Sequence, residues 1–299
     1  MARFEEVGAN LGVDSARFGS EWMMVPHRGS NFVRFSDGDG FDVAAADRRG
    51  LRIADVTKAF TADLAPPLRL LATLLVPRSR VFRVTGLLPG VTKIIARRGG
   101  ATASIVVTVV PKHTFSIACY FLQNRAADGS VTPRTSFTPP VAHSWVEDLN
   151  KVFGPQANIW FTLARSEFLP LADLGEWFGS EDDVARLAKV REASGAQVTI
   201  FLAGPKIWVE KSEPRGFYHV KTKVIIMQDQ FVKDVWAGPP APMLKTMAHE
   251  IAHFLNHARS HGQGHDHYET SGYKSDIMHT DDGSNIKISR ERVRDWNPV

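Results

Sequence analysis

Cysteine is almost absent from this sequence, since the 299 residues contain a single one, Cys119. One thiol cannot form an intramolecular disulfide, so the fold has to be held together by an apolar core. Cys119 lies in the apolar run TFSIACYFL, which predicts a buried small side chain and not a nucleophile or a metal ligand. With 43% hydrophobic and 23% charged residues, the composition is otherwise that of a globular protein.

Long hydrophobic runs are also missing. No segment approaches the roughly 18 apolar residues that a membrane-spanning helix needs, and the N-terminal segment MARFEEVGANLGVDSARFGS contains no apolar stretch of signal-peptide length. We therefore expect a soluble protein without a membrane span. If it is secreted, we expect either a route other than a cleaved signal, such as delivery by a specialised secretion system, or a signal that has been removed from this sequence.

Basic charge is spread unevenly along the chain. Residues 1–112 contain 16 Lys and Arg against 10 Asp and Glu, a net charge of +6, whereas the remainder contains 20 against 22, a net charge of −2. The basic segments ADRRGLR, PRSR and ARRGG are scattered near glycines and form no stripe with interleaved aromatic residues. This pattern favours solvated turns over contact with an anionic surface, and we expect no nucleic-acid partner.

The first hundred residues have the pattern of a small antiparallel sandwich. The β-rich runs VFRVTG, TKIIARR and ASIVVTVV are separated by the turn segments LLPG and GG. Their sequence resembles the group 2 type of bacterial immunoglobulin-like (Ig-like) domains, in which the matching residues here are Gly86, Pro89, Gly90, Thr92, Ile94, Ala96, Gly99, Ala103 and the closing IVVTVV. The resemblance implies a spacer or adhesive module with no chemistry of its own.

The pattern changes at VVPKHT, residues 109–114, after which predicted strands alternate with predicted helices. Strands are predicted for TFSIACYFLQ, QANIWFTLA, AQVTIFLAG and TKVIIMQD. Helices are predicted for TPPVAHSWVEDLNKVF, for SEDDVARLAKVREAS with Ser180 as its N-cap, and for GPPAPMLKTMAHEIAHFLNH. We predict two domains, an all-β Ig-like sandwich at 1–112 and an α+β domain with a mixed, twisted sheet and an active-site helix at 113–299.

The last predicted helix contains an HExxH sequence formed by His249, Glu250 and His253. Residues i and i+4 of an α-helix lie on one face about 6 Å apart, so the two imidazoles can converge on one zinc ion. The intervening glutamate then lies beside the metal and can move a proton as the general base. The spacing predicts a catalytic site with one zinc ion.

A catalytic zinc takes three protein ligands, and the third is not fixed by the helix. His257 continues the fourfold spacing but lies two turns from His249, about 12 Å away on an unbroken helix, and is therefore excluded unless the helix ends first. The helix has to end by Gly262, and Asn256 is a candidate end because asparagine tolerates the left-handed conformation. A later histidine can then approach the metal.

The whole segment resembles the metzincin clan of zinc peptidases, whose pattern is HExxHxxGxxH followed by a methionine turn. The third-ligand position of that pattern falls on Arg259, but the later GHD resembles the end of the motif and implies His265, with His261, His267 and Asp266 as alternatives. SDIMH resembles the methionine turn and implies Met278 beneath the metal. Tyr268 and Tyr273 are candidates to stabilise the oxyanion.

The same resemblance implies a strand at the edge of the cleft that pairs with extended peptide through backbone hydrogen bonds. Here it falls in RGFYHV, at Gly216, Phe217, Tyr218 and His219, with an ordinary edge strand as the alternative.

The sequence thus predicts a zinc-dependent endopeptidase of the metzincin type that acts on proteins or peptides, with Glu250 as general base. One alternative is a non-catalytic zinc-binding adhesive or interaction protein, and another is a histidine-rich segment that buffers metal. The Ig-like domain implies a delivery or attachment partner. A peptidase joined to a spacer domain is an architecture that would suit an injected toxin.

Overall fold

The computed structural model divides the chain into two contact-defined units, and each is described by itself. The first comprises Met1–His113, Phe153–Asn158 and Ile288–Val299, and the second comprises Thr114–Val152 and Ile159–Lys287. The residues that the structure describes are 2–5, 7, 13–14, 22–36, 39–62, 79–174, 178–204, 216–228, 242–259, 288 and 296.

The first unit is built from strands. Its elements are β1 (Arg3–Glu5), β2 (Val13–Asp14), β3 (Trp22–Pro26), β4 (Ser30–Ser36), β5 (Asp42–Ala45), β6 (Leu51–Asp55), α1 (Thr57–Ala62), β7 (Arg80–Gly86), β8 (Gly90–Arg98) and β9 (Ala101–Val110). One sheet has the order β1-β4-β7-β6 and the other the order β2-β3-β9-β8-β5. All pairings are antiparallel except that of β3 with β9, which is parallel.

Both sheets contribute to one apolar core, because side chains on a strand point alternately to its two faces. On β4, Val33 and Phe35 are buried in this core while Phe32 faces outward and is 37% exposed. The ring of Phe35 lies 4.6 Å from that of Phe4 and 5.2 Å from that of Phe41, centroid to centroid. The runs VFRVTG, TKIIARR and ASIVVTVV were predicted as strands and are confirmed as parts of β7, β8 and β9.

The second unit combines strands with longer helices. Its elements are β10 (His113–Arg125), β11 (Val131–Pro133), α2 (Val141–Ala157), β12 (Ile159–Ala172), α3 (Glu181–Ser194), β13 (Val198–Gly204), β14 (Gly216–His219), β15 (Val224–Gln228) and α4 (Pro242–Arg259), of which His113 and the last five residues of α2 are counted with the first unit. Its sheet has the order β11-β10-β13-β15-β14, with β12 also paired to β10. The strands β10, β13 and β15 are parallel, whereas β11 and β14 run antiparallel to their neighbours, so the sheet is mixed.

Burial is consistent with this order, because the central strands β13 and β15 are mostly apolar and are buried along their whole length. Every residue of β13 and β15 is buried, as expected for parallel strands that are covered on both faces. Cys119 is buried in β10, and burial raises the pKa of its thiol to about 12, which excludes a reactive thiolate at neutral pH. The prediction of a buried small side chain is confirmed.

Helix α3 begins as its sequence predicts. The Ser180 hydroxyl accepts a hydrogen bond from the Asp183 backbone N–H at 3.2 Å, and the Asp183 carboxylate accepts one from the Ser180 N–H at 3.2 Å. These two bonds form a capping box and confirm Ser180 as the N-cap.

In the part of the chain that the structure describes, none of the helices is both long and apolar enough to cross a membrane.

Candidate active site

Helix α4 presents two histidines on one face. His249 and His253 are four positions apart in the sequence. Their rings lie 4.8 Å apart, centroid to centroid, at an angle of 85°. Both side chains are half-buried. Two imidazoles this close, one helical turn apart, can direct a nitrogen each toward the same point in space.

The opposite side of α4 holds the helix in place by apolar burial. Its buried residues are Leu244, Met247, Ala248, Ile251, Ala252, Phe254 and Leu255. The ring of Phe254 packs edge-on against Phe115 of β10 at 5.9 Å and against Tyr218 of β14 at 6.4 Å, centroid to centroid. Because the packed face fixes the rotation of the helix, the direction in which the two histidines point is fixed as well.

Glu250 lies about 100° around the helix from His249, and its side chain is only 6% exposed. Burial removes the carboxylate from water and raises the pKa of Glu250 to about 8, while a hydrogen bond from the backbone N–H of Tyr218 acts in the opposite direction. A carboxyl group with a pKa near neutrality can exchange a proton at physiological pH, as a general base or acid has to do.

Strand β14 forms the edge of the described sheet on this side of the unit. It pairs with β15 alone, in the register Gly216 with Met227 through His219 with Val224. In an antiparallel pair, successive residues turn their N–H and C=O groups alternately toward and away from the neighbouring strand. The N–H of Tyr218 points away from β15 and reaches the carboxylate of Glu250.

Gly216 brings the backbone of β14 close to helix α4. A Cβ atom at this position would lie 2.8 Å from Thr246 Cγ2, 3.0 Å from Glu250 Cγ and 3.0 Å from Met227 Sδ. Contacts under 3.0 Å are essentially never tolerated by a real Cβ. A side chain at this position would require the neighbouring side chains to shift, so glycine allows the strand and the helix to approach this closely.

The side chains of His249, His253 and Glu250 fit part of a catalytic zinc site. Two histidine nitrogens one turn apart are a common half of a zinc site, and a buried glutamate beside them belongs to its catalytic form. Among the described residues, no group of three His, Cys, Asp or Glu side chains has an arrangement that could hold a metal ion. Within those residues the site thus offers two nitrogen ligands.

The residues predicted for the rest of the site fall outside the described part of the chain: His261, His265, Asp266, His267, Tyr268, Tyr273 and Met278. The candidate helix end at Asn256 is wrong, because α4 continues through this residue to Arg259. The side chain of Asn256 is buried, only 6% exposed, so packing outweighs the preference of asparagine for a helix end. Position 257 is consequently on the same unbroken helix, which is the condition under which His257 cannot share a metal with His249.

Sequence reasoning missed one residue of this arrangement, Thr246. It lies on α4 one turn before Glu250, and its Cγ2 faces Gly216. Nothing in the HExxH pattern points to it. The signal for the close approach was Gly216 in RGFYHV, since a glycine in a strand often marks a site where another element comes near.

No protein-family model matches this chain, and no curated protein matches it. Similar solved structures include a zinc-dependent peptidase from Methanocorpusculum labreanum, with a TM-score of 0.39 and 12% identity, covering 61% of this chain and all of that one. They also include domains 4–9 of the surface layer protein SbsC, with a TM-score of 0.24 and 10% identity, covering 37% of this chain. This chain spans only 14% of the length of that surface-layer structure.

Proposed function

We propose that this chain is a zinc-dependent endopeptidase in which His249 and His253 are two of the zinc ligands and Glu250 is the general base. The observation that carries the proposal is the combination on one helix of two histidine rings 4.8 Å apart and a buried glutamate in contact with an edge strand. An HExxH sequence that served only to build a helix would not need its glutamate buried against a strand edge.

The third ligand is proposed to be His265, with His261, His267 and Asp266 as alternatives, and Met278 is proposed to lie beneath the metal. A bound zinc ion supplies Lewis acidity, which lowers the pKa of water and polarises a carbonyl. Glu250 then acts through its own carboxylate. It takes a proton from the attacking water and passes that proton to the amine that leaves when the peptide bond breaks.

The substrate is proposed to be an extended stretch of protein or peptide. Strand β14 supports this because it is the edge strand next to Glu250, and an edge strand offers backbone N–H and C=O groups for pairing with a further strand. Peptide aligned along Gly216 to His219 would pass the carboxylate of Glu250. Tyr268 or Tyr273 is proposed to stabilise the oxyanion.

The first unit is proposed to be an Ig-like spacer or adhesive module. Its two sheets with a shared apolar core support this assignment. Through this unit the protein would be attached to, or delivered by, a partner outside the cell that makes it. A role as a delivered toxin is proposed from this two-part architecture alone.

The test compares cleavage of an unstructured protein, such as casein, by the zinc-loaded full chain and by Glu250→Ala. We expect Glu250→Ala to lower kcat by about 10²-fold to 10⁴-fold, the usual contribution of a general base. Glu192→Ala is the matched control, because Glu192 lies on α3 with its side chain exposed. It should leave kcat unchanged.

Metal content separates this function from the alternatives. We expect one zinc ion per chain in the wild type and in Glu250→Ala, and loss of zinc in His249→Ala and His253→Ala. Equal cleavage by the wild type and Glu250→Ala would contradict the proposal. Tight zinc binding without any cleavage would instead support a non-catalytic binding protein, and several zinc ions that survive His249→Ala would support a metal buffer.

A further inference from the structure

Two contacts of β14 converge on Glu250 from the same strand. The backbone of Gly216 lies against the aliphatic part of the side chain, where an added Cβ would be 3.0 Å from Glu250 Cγ. Two residues further on, the N–H of Tyr218 donates to the carboxylate of Glu250. The strand thus contacts both the stem and the charged end of one side chain.

Gly216 also sets how close α4 comes to the sheet. The added Cβ would meet Thr246 Cγ2 at 2.8 Å, and Thr246 lies one helical turn before Glu250 on the same face. Packed interiors do not absorb an extra methyl group without a shift of their neighbours. A side chain at position 216 would therefore require Thr246, Glu250 or Met227 to shift, or the strand to move away from the helix.

We propose that Gly216 and the backbone N–H of Tyr218 are positioning groups, which together hold the carboxylate of Glu250 in the orientation that proton transfer requires. The assignment rests on the proposed role of Glu250 as general base. It adds a reason for the glycine at position 216 that is separate from pairing with substrate. Glu250 Cγ is one of three side-chain atoms that border the space left by the missing Cβ.

The contact between Tyr218 and Glu250 can be tested without activity and without metal. The chain contains only four tyrosines, so ¹⁵N-tyrosine labelling gives four amide signals. The Tyr218 signal is assigned by its absence from the spectrum of Tyr218→Phe. In metal-free protein we expect Glu250→Ala to shift this amide proton upfield and to speed its exchange with solvent by about tenfold, because the hydrogen bond that this amide donates to the side chain of Glu250 is lost. The amide of Tyr120, buried in β10, is the internal control.

The role of Gly216 is tested by Gly216→Ala. We expect kcat to fall on the order of 10-fold to 100-fold, since a displacement near 1 Å at a reacting group has an effect of this size. The loss should fall on kcat and not on KM, with zinc content unchanged and the Tyr218 amide moved toward its position in Glu250→Ala. A strand that only binds substrate would raise KM instead.

Two further variants make this result specific. Thr246→Ser removes the methyl group that would lie 2.8 Å from the new Cβ while it keeps the hydroxyl. In the double variant Gly216→Ala with Thr246→Ser, we expect kcat and the Tyr218 amide signal to return toward the wild type. Gly29→Ala is the matched steric control, because its Cβ would lie 2.8 Å from Pro26 Cβ in the first unit. It should change neither quantity.

The outcomes for this proposal and for the peptidase function can be told apart. A Tyr218 amide that is unchanged between the wild type and Glu250→Ala overturns the positioning role even if the enzyme cleaves casein. A Gly216→Ala variant that loses stability like Gly29→Ala but keeps its kcat also overturns it. If the wild type cleaves nothing while the amide responds as expected, the contact stands and the peptidase function fails.

Discussion

Each of the two units contains a largely buried glutamate, and the pKa values of the two carboxyl groups are shifted in opposite directions. Glu5 on β1 has a side chain that is 17% exposed and forms ion pairs with Arg3 at 2.6 Å and with Arg34 at 2.8 Å. Burial is the largest single influence and raises the pKa of Glu5, but the hydrogen bonds and charges of the two arginines together outweigh it and lower the pKa below its usual value. The ionised form is the stable one.

Glu250 has no comparable compensation among the described residues. Burial raises the pKa of its carboxyl to about 8, and the one group that opposes this is the N–H of Tyr218. A buried carboxylate without a cation costs stability, whereas the carboxylate of the sandwich contributes to it. The contrast separates a glutamate that stabilises the fold from one for which we propose a role in proton transfer, because strongly shifted pKa values concentrate at functional sites.

The largest effect that we expect on stability lies in the sandwich. Phe35→Ala should lower the free energy of unfolding by about 3–5 kcal/mol, since it opens a cavity beside Phe4 and Phe41. Phe32→Ala is the matched control on the same strand, because the side chain of Phe32 points outward and is 37% exposed. Its effect should be well below that of Phe35→Ala in the same chemical denaturation series.

Zinc content per folded molecule should be unchanged in both phenylalanine variants. This result would sharpen the contrast between a unit that supplies stability and a unit that carries the proposed chemistry. If Phe35→Ala abolished zinc binding in protein that remains folded, the division of roles would be wrong.

The sequence predicted the parts of this structure that depend on local periodicity. The i, i+4 spacing of His249 and His253 requires only that the segment be helical, and the apolar positions of α4 made that prediction secure. Ser180 was predictable as an N-cap for the same reason, since the capping box involves residues only three apart. Strand β14 was implied by the resemblance to the metzincin clan and not by periodicity.

Local periodicity could not predict contacts between elements that are distant in the sequence. The approach of Gly216 to Glu250 joins residues 34 positions apart, and no periodic pattern encodes it. The end of α4 was misplaced at Asn256 because the left-handed preference of asparagine is a local tendency, while its burial is a property of the folded unit. Strand β12 likewise continues to Ala172, beyond the predicted QANIWFTLA, through residues that are mostly half-buried or exposed.

The second prediction concerns the pH dependence of stability in metal-free protein. The folded-state pKa of Glu250, about 8, lies above its ordinary value of 4.5. The stability contributed by its protonated form is therefore fully present below pH 4.5 and is lost as the pH rises through 8. Between pH 6 and pH 8 this loss amounts to about 2 kcal/mol. Glu250→Gln keeps a carbonyl oxygen to accept from the Tyr218 N–H but cannot ionise, so its unfolding free energy should lack this decline.

The measurement is chemical denaturation of the wild type and Glu250→Gln at pH 6, 7 and 8 with a chelator present. Because the histidines titrate in both proteins, only the difference between the two curves reports on Glu250. Glu192→Gln, at the exposed position on α3, should follow the wild type at every pH. Parallel curves for the wild type and Glu250→Gln would mean that Glu250 is ionised without cost, and the contrast with Glu5 would disappear.

The smallest effect is expected for Glu5→Gln, and its sign is opposite. The folded-state pKa of Glu5 is lowered, so the stability that its ionised form contributes is present above pH 4.5 and is lost as the pH falls through the folded-state value. At pH 8, Glu5→Gln should lower the free energy of unfolding by no more than about 1 kcal/mol, because Arg3 and Arg34 are partly exposed and water screens the pair. Adding salt should shrink this difference, whereas it should leave the effect of Glu250→Gln nearly unchanged, since the carboxyl of Glu250 has no exposed charge partner among the described residues. If both glutamine variants stabilised the protein at pH 8, the ion pairs of Glu5 would not offset its burial. The direction of the pKa shift would then no longer distinguish the proposed general base, Glu250, from the structural carboxylate of Glu5.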